Sequence, residues 1–339
     1  MRDLTTGPSL AWTSLQTSSG WSSAVRFHGS PSADEPTLAV HDGRLHCIQP
    51  DSGRLSWTYC DESAAGMPGT WSAPRDIAVG TAVVGAPVMA SYPKLLHCVY
   101  RTPHKGASVM WTLVLGEDGA WLPGARLVDD ALSDPVLSVH DGRLHLLYLS
   151  GSNPAPAASR LRHRVFDGKA WSEAPAPPLS PAENFAVASG GGVLHCVSSR
   201  AMGNGDAELT HCTFDGVRWS EPRLVTRQVG SSRPGLAVSG GTLYAAYAVP
   251  APSHGDASPQ RSGRARTSLA PPGRVATDRS APGRLPAWAV RYVAFDGLTW
   301  SVPRTVPIAT DSSRRDAAPP VLTACRRGTD EETLLVCVR

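Results

Sequence analysis

Six rings stand at one point of a repeated phrase along this chain: Trp12, Trp57, Trp111, His163, His211 and Tyr292. The position is never aliphatic. A flat ring with a polar edge can stack on the apolar face of a sugar while its N–H or O–H stays solvated. The same rings can also fill the wedge between packed sheets, so their pattern leaves both roles open. A second set, Trp21, Trp71, Trp121, Trp171, Trp219 and Trp300, marks every copy of the phrase and fits a packing role. Histidines recur at His46, His97, His145 and His195, with Tyr244 in the fifth copy. Equivalent positions of neighbouring units lie too far apart for the ~2.0–2.1 Å bonds of a zinc site. Hydrogen bonding between units is the expected role of these histidines.

Signatures of catalysis are absent from the sequence. It contains no G-x-S-x-G, no H-E-x-x-H and no glycine loop of the phosphate-cradling type. The run Ser189-Gly190-Gly191-Gly192 falls where other copies carry Asp-Gly turns and reads as a turn. Carboxylates are few and sit mostly in turns, so no acid and base pair can be named. The expectation is a non-enzyme without metal or cofactor. Seven cysteines include no C-x-x-C and are read as small buried apolar residues. Cys47 and Cys60 flank one hairpin and Cys196 and Cys212 its counterpart, which predicts that each pair lies close across two strands.

The elements that hold these residues are set by a ruler. The tryptophans from Trp21 to Trp219 recur every 50 residues, 48 in the last step, and Trp300 follows after 81. Removing about 32 residues from that last interval restores the period. Each opens a similar phrase, among them WSAPRDI, WSEPRLV and WSVPRTV, which predicts an edge strand. An Asp-Gly turn often precedes it, as at Asp167-Gly168, Asp215-Gly216 and Asp296-Gly297. A second hairpin turns at Asp42-Gly43, Asp141-Gly142 and Gly240-Gly241. On its returning strand Leu45 and Cys47 point to one face and His46 and Ile48 to the other. Four short strands per unit, each joined by a turn, make a propeller blade.

The two ends of the sequence each carry half a unit. LAWTSL followed by GWSSAVRF matches the last two strands of a blade, and the C-terminal segment with LLVCVR matches the first two. The fold class predicted is therefore all-β, a six-bladed β-propeller of four-stranded antiparallel blades closed by a composite N/C-terminal blade built from residues 1–27 and 319–339. Such closure removes exposed sheet edges. Residues 1–339 form a single domain, with 251–287 a disordered Pro/Arg-rich loop inserted between the second and third strands of one blade.

Composition narrows the partners. The chain of 339 residues is 41% hydrophobic and 18% charged with a net charge of +3. Six arginines (261, 264, 266, 274, 279 and 284) fall within 251–287 and leave the remainder near neutral, which argues against a nucleic-acid partner. No apolar run is long enough to span a bilayer. The N-terminal MRDLTTGPSLAWTSL lacks the pattern of a secretory signal, so a cytoplasmic location is the default, with signal-independent release as the other route.

The phrases WSxP, LAVxDGRLHC and FDGxxWS resemble those of β-propeller lectins, including six-bladed fucose-binding lectins of the Aleuria type. That resemblance implies glycans or glycoconjugates as partners, held in pockets between blades by an arginine, an acidic residue and a tryptophan. Arg44 and Arg143 precede the second strand in two blades, but Val193 and Thr242 take the matching sites in others. Sialidases also have six blades, yet their S-x-D-x-G-x-x-W box differs from FDGKAW and FDGVRW here, and no arginine triad is evident. The function expected is a non-catalytic, multivalent lectin-like protein with shallow sites between blades, its ligand platforms being Trp12, Trp57, Trp111, His163, His211 and Tyr292. An interaction scaffold with a protein partner and a sialidase-like glycosidase are the alternatives.

Overall fold

The computed structural model describes residues 10–16, 20–21, 25–27, 35–64, 70–77, 79–151, 159–180, 184–202, 207–230, 232–250, 288–307, 320–327 and 331–338. The segment 251–287 lies outside them, as do the side chains of β1 (Leu10–Gln16) and hence that of Trp12. After β1 come β2 (Gly20–Trp21) and β3 (Val25–Phe27). Five antiparallel sets of four strands follow. The first holds β4 (Thr37–His41), β5 (Arg44–Asp51), β6 (Arg54–Asp61) and β7 (Arg75–Ile77). The second holds β8 (Val88–Tyr92), β9 (Leu95–His104), β10 (Ala107–Leu115) and β11 (Trp121–Ala131). The third holds β12 (Val136–His140), β13 (Arg143–Ser150), β14 (Arg160–Phe166) and β15 (Trp171–Ala174), and one bridge, Ala131 to Ser150, joins it to the second. The fourth holds β16 (Asn184–Gly190), β17 (Val193–Ala201), β18 (Ala207–Phe214) and β19 (Arg223–Val229). The fifth holds β20 (Gly235–Ser239), β21 (Thr242–Pro250), β22 (Trp288–Phe295) and β23 (Arg304–Thr305). The chain then runs through β24 (Val321–Arg327) and β25 (Glu331–Val338).

β25 pairs with β24 on one side and with β1 on the other, Trp12 opposite Cys337 and Ser14 opposite Leu335. The two half-units at the chain ends thus form one sheet, and β2 and β3 both pair onto β1. The first strands of successive sets lie side by side in the order β4, β8, β12, β16, β20, β24, and β24 also touches β4. Among the described residues the one helical element is a 3-10 turn at Glu62–Ala64, and no helix is long and apolar enough to cross a membrane.

Local chemistry explains these strands. Both central residues of the tight turns have positive φ, as at Asp42 (49°) and Gly43 (68°), Asp141 (47°) and Gly142 (65°), and Gly240 (55°) and Gly241 (74°). That is the twist a two-residue hairpin needs, and Gly and Asp adopt it at low cost. The Asp-Gly turns between third and fourth strands fold differently. Asp167 Oδ1 accepts the amides of Lys169 and Ala170, Asp215 Oδ1 those of Val217 and Arg218, and Asp296 Oδ1 those of Leu298 and Thr299. These amides hold the three carboxyls below the usual carboxylate range.

In the first, fourth and fifth sheets the tryptophan phrase is shorter as a strand than its sequence predicts, whereas β11 and β15 begin at Trp121 and Trp171. Trp219 and Trp300 make only isolated bridges, to Phe214 and Phe295, and β19 and β23 begin at Arg223 and Arg304. Proline at 222 and 303 brings no N–H to the ladder. The serine after each tryptophan takes over instead, because Ser220 Oγ accepts Thr213 N–H at 3.0 Å and Ser301 Oγ accepts Ala294 N–H at 3.0 Å. Ser72 does the same for Tyr59 N–H at 3.1 Å.

The core lies between sheets, so both faces of the second strands are buried. Leu45, Cys47 and Ile48 are each 0% exposed although they point to opposite faces, and Cys47 and Ile48 belong to different apolar clusters. Alternation without a polar phase is the mark of a sheet covered twice. Burial pushes the thiols of Cys47 and Cys60 up to about 12, which keeps them protonated and inert at neutral pH. Cys196 and Cys212 are direct cross-strand partners, whereas Cys47 faces Thr58 and Cys60 faces Leu45.

Candidate functional site between the fourth and fifth sheets

A cavity of about 610 Å3 opens between the fourth and fifth sheets. From the fourth sheet His195, His211, Thr213, Ser220 and Arg223 line it, and from the fifth Phe295, Leu298 and Trp300. The local fold places each of these. His195 and His211 come from adjacent strands, β17 and β18, on the face turned to the fifth sheet. Phe295 ends β22, and the turn at Asp296 returns the chain so that Trp300 lies against Phe295 with ring centroids 5.1 Å apart. Trp300 then meets His211 edge to face at 5.2 Å and 85°. Arg223 is the direct partner of His211 on β19 and is exposed.

Proton positions follow from the carbonyl partners, since a carbonyl only accepts. His195 Nε2 lies 3.2 Å from Gly190 O, so its proton is there and its Nδ1 is a lone pair. His211 Nε2–H therefore donates to His195 Nδ1 at 3.0 Å, leaving His211 Nδ1 as an acceptor. Burial lowers the pKa of both, with His195 and Arg223 adding to the drop at His211, which falls to about 4. Both rings are neutral at pH 7.

The other ring positions are placed as follows. Trp57 is 5% exposed, its indole N–H donates to His46 Nδ1 at 3.2 Å, and Trp121 of the next sheet packs on it at 89°. Trp111 is half-buried and donates to Thr102 Oγ1 at 3.0 Å. His163 is 0% exposed and bonds His145 and Pro175 O. Tyr292 is 5% exposed with Trp21 edge-on at 5.3 Å. Of the six, His211 lines the cavity and Trp57, His163 and Tyr292 fill the wedge between sheets.

The histidines of the second strands differ from expectation. His46, His145 and His195 bond the third-strand ring of their own sheet, because cross-strand neighbours are nearer than the next sheet. Hydrogen bonds between sheets come instead from His41 to Ser91 Oγ at 2.8 Å and His140 to Ser189 Oγ at 2.9 Å. Arg44 lies over the Tyr59 ring at 5.0 Å.

Arg223 and Trp300 are not singled out as a pair by the repeat spacing. An arginine faces the third-strand ring in four sheets: Arg75 opposite Trp57, Arg126 opposite Trp111, Arg223 opposite His211 and Arg304 opposite Tyr292. The signal was the arginine four residues after Trp71, Trp219 and Trp300, which read as part of an edge strand. No group of three or more His, Cys, Asp or Glu suited to a metal occurs among the described residues.

No protein-family model matches the chain, and no curated protein matches it. Solved structures do. The lectin of Aleuria aurantia, described as a six-bladed β-propeller with a novel fucose recognition mode, is 15% identical with a TM-score of 0.50, covering 81% of this chain and 79% of that one. A family-43 endo-arabinanase of Bacillus licheniformis is 11% identical with a TM-score of 0.43, covering 63% and 88%. AofleA of Arthrobotrys oligospora is 11% identical with a TM-score of 0.51 over 86% of this chain and 78% of that one. The likeness is one of fold, and it sets this all-β chain of repeated four-stranded sheets beside the six-bladed β-propeller of the Aleuria aurantia protein.

Proposed function

We propose that the chain is a six-bladed propeller closed by its composite sheet, and that it is a non-catalytic carbohydrate-binding protein with sites between blades. The single observation that carries this reading is the cavity between the fourth and fifth sheets, where the half-buried indole of Trp300 and the guanidinium of Arg223 are both lining groups and no Asp or Glu is among the lining residues. An indole face suits a sugar ring and a guanidinium suits its oxygens. Glycoside hydrolysis in most enzymes needs two carboxyls flanking the bond, and this cavity offers none. The repetition of arginine opposite a third-strand ring supports further, weaker sites around the ring, so that several shallow contacts with one glycan-bearing surface add as avidity. The fold shared with a fucose-recognising lectin is consistent with this.

The segment 251–287 belongs to this reading as an insertion, since its flanking residues Pro250 and Trp288 face each other on β21 and β22. Replacing it by a short Gly-Ser link should leave the melting temperature within a few degrees, and loss of folding would refute its role as an insertion.

The test of function is a glycan array on the purified protein beside the Trp300→Ala variant. Binding by the parent that the variant loses, with its circular dichroism unchanged, supports the site. A blank array together with capture of a stoichiometric protein partner overturns it in favour of a scaffold.

A further inference from the structure

The charge balance of the cavity is uneven. Arg223 is the one formally charged side chain among the lining residues, and it makes no ion pair among the described residues. Three carboxylates near it in the fold are committed elsewhere. Asp215 and Asp296 are held by the amides of their own turns, and Glu208 pairs with Arg227 at 3.1 Å. Glu221, two residues before Arg223, is exposed and does not line the cavity. The contrast with the third sheet is direct, because there Glu173 answers both Arg162 and Arg164. The remaining polar groups in the cleft, Thr213, Ser220 and two imidazoles, are neutral or engaged in backbone bonds. Apolar side chains, Phe295, Leu243 and Trp300, line the cleft beside the one guanidinium.

Resting on the carbohydrate reading of this same cleft, we propose that the site between the fourth and fifth sheets takes an acidic sugar, its carboxylate or sulfate paired with Arg223 and its ring on Trp300. A carboxylate matches the guanidinium fork with two parallel hydrogen bonds, a gain that a neutral hydroxymethyl group in the same place does not bring. His211 Nδ1, a lone pair in the tautomer derived above, is left to accept a ring hydroxyl.

The test uses matched pairs differing only at the acid: methyl glucuronide against methyl glucoside, methyl galacturonide against methyl galactoside, and a 6-sulfated methyl galactoside, each titrated by NMR into the full chain. The acid and sulfate members should bind about tenfold tighter than their neutral partners, with the preference shrinking as salt rises. Arg223→Gln should abolish the preference, Arg223→Lys should keep part of it, and Arg200→Gln, exposed and outside the cavity, should leave it intact. Carboxylate but not sulfate preference, or the reverse, identifies which anion the fork fits. Equal binding of neutral and acidic members, lost in Trp300→Ala, overturns this inference while sparing the carbohydrate reading. Absence of all binding overturns both.

Discussion

The cleft between the third and fourth sheets and the cleft between the fourth and fifth are assembled from the same four ring positions. His145, His163, Phe214 and Trp219 build the first, and His195, His211, Phe295 and Trp300 build the second. The ring geometry is close, with Phe214 at 5.1 Å from His163 and Phe295 at 5.2 Å from His211. What differs is the residue four places after the tryptophan of the preceding sheet, Pro175 in one and Arg223 in the other. Pro175 O accepts both His163 Nδ1–H at 2.8 Å and Trp219 Nε1–H at 2.8 Å. His163 Nε2 is then a lone pair that accepts from His145 at 2.9 Å. The shared proton therefore belongs to the second-strand histidine in the third sheet and to the third-strand histidine in the fourth. One carbonyl thus turns the pair around and ties Trp219 to the third sheet.

The largest expected effect breaks the comparison at the tryptophans. Trp300→Ala should weaken sugar binding more than tenfold, whereas Trp219→Ala should leave the occupancy of the fourth/fifth cleft unchanged, as followed by isothermal titration. Equal losses in both variants would mean that the two clefts are functionally alike.

Acid provides the next test, because both pairs are held neutral. The pKa of His145 falls to about 4 through burial and the neighbouring His163, and that of His211 falls to about 4. An unfolded chain, with histidines near 6.5, binds more protons than the folded one between pH 6.5 and 4. Stability is therefore complete above pH 6.5 and declines as the pH falls toward 4. Thermal melts across that range should drop by on the order of 10 °C, and a flat profile would contradict the buried neutral pairs. The His163→Gln and His211→Gln variants should each flatten the decline.

The smallest effect sharpens the role of the carbonyl. Trp219→Phe removes the hydrogen bond to Pro175 and should cost about 1 kcal/mol in urea unfolding, more than Trp300→Phe. A larger loss at Trp300 would place the clamp in the wrong cleft.

Much of the fold was legible because turns and tryptophan spacing are local. Asp42-Gly43 and Asp141-Gly142 need only their own backbone angles to form a hairpin, and the half-units at the ends named the partners that β1 and β25 became. The site was less legible. Equivalence in the repeat made Trp57, His163 and His211 look interchangeable, but of these three only His211 lines the cavity between the fourth and fifth sheets. Trp121, Trp219 and Trp300 stand edge-on to the three rings alike, and the space beside His211 could not be read from the residue types of any one strand. The direction of the histidine bonds was likewise hidden, since strand register rather than residue type puts His195 beside His211.

The pairing of β1 with β25 also sets a schedule for synthesis. Ala11 is opposite Val338, so β1 waits for about 330 further residues before its partner β25 exists. At ribosomal rates of ~5–20 residues per second that interval is roughly 15–65 seconds. Throughout it, one edge of β1 carries unpaired amides and carbonyls that any extended segment can meet. This sheet therefore cannot be completed before β25 has been made, whatever the order in which the other five form.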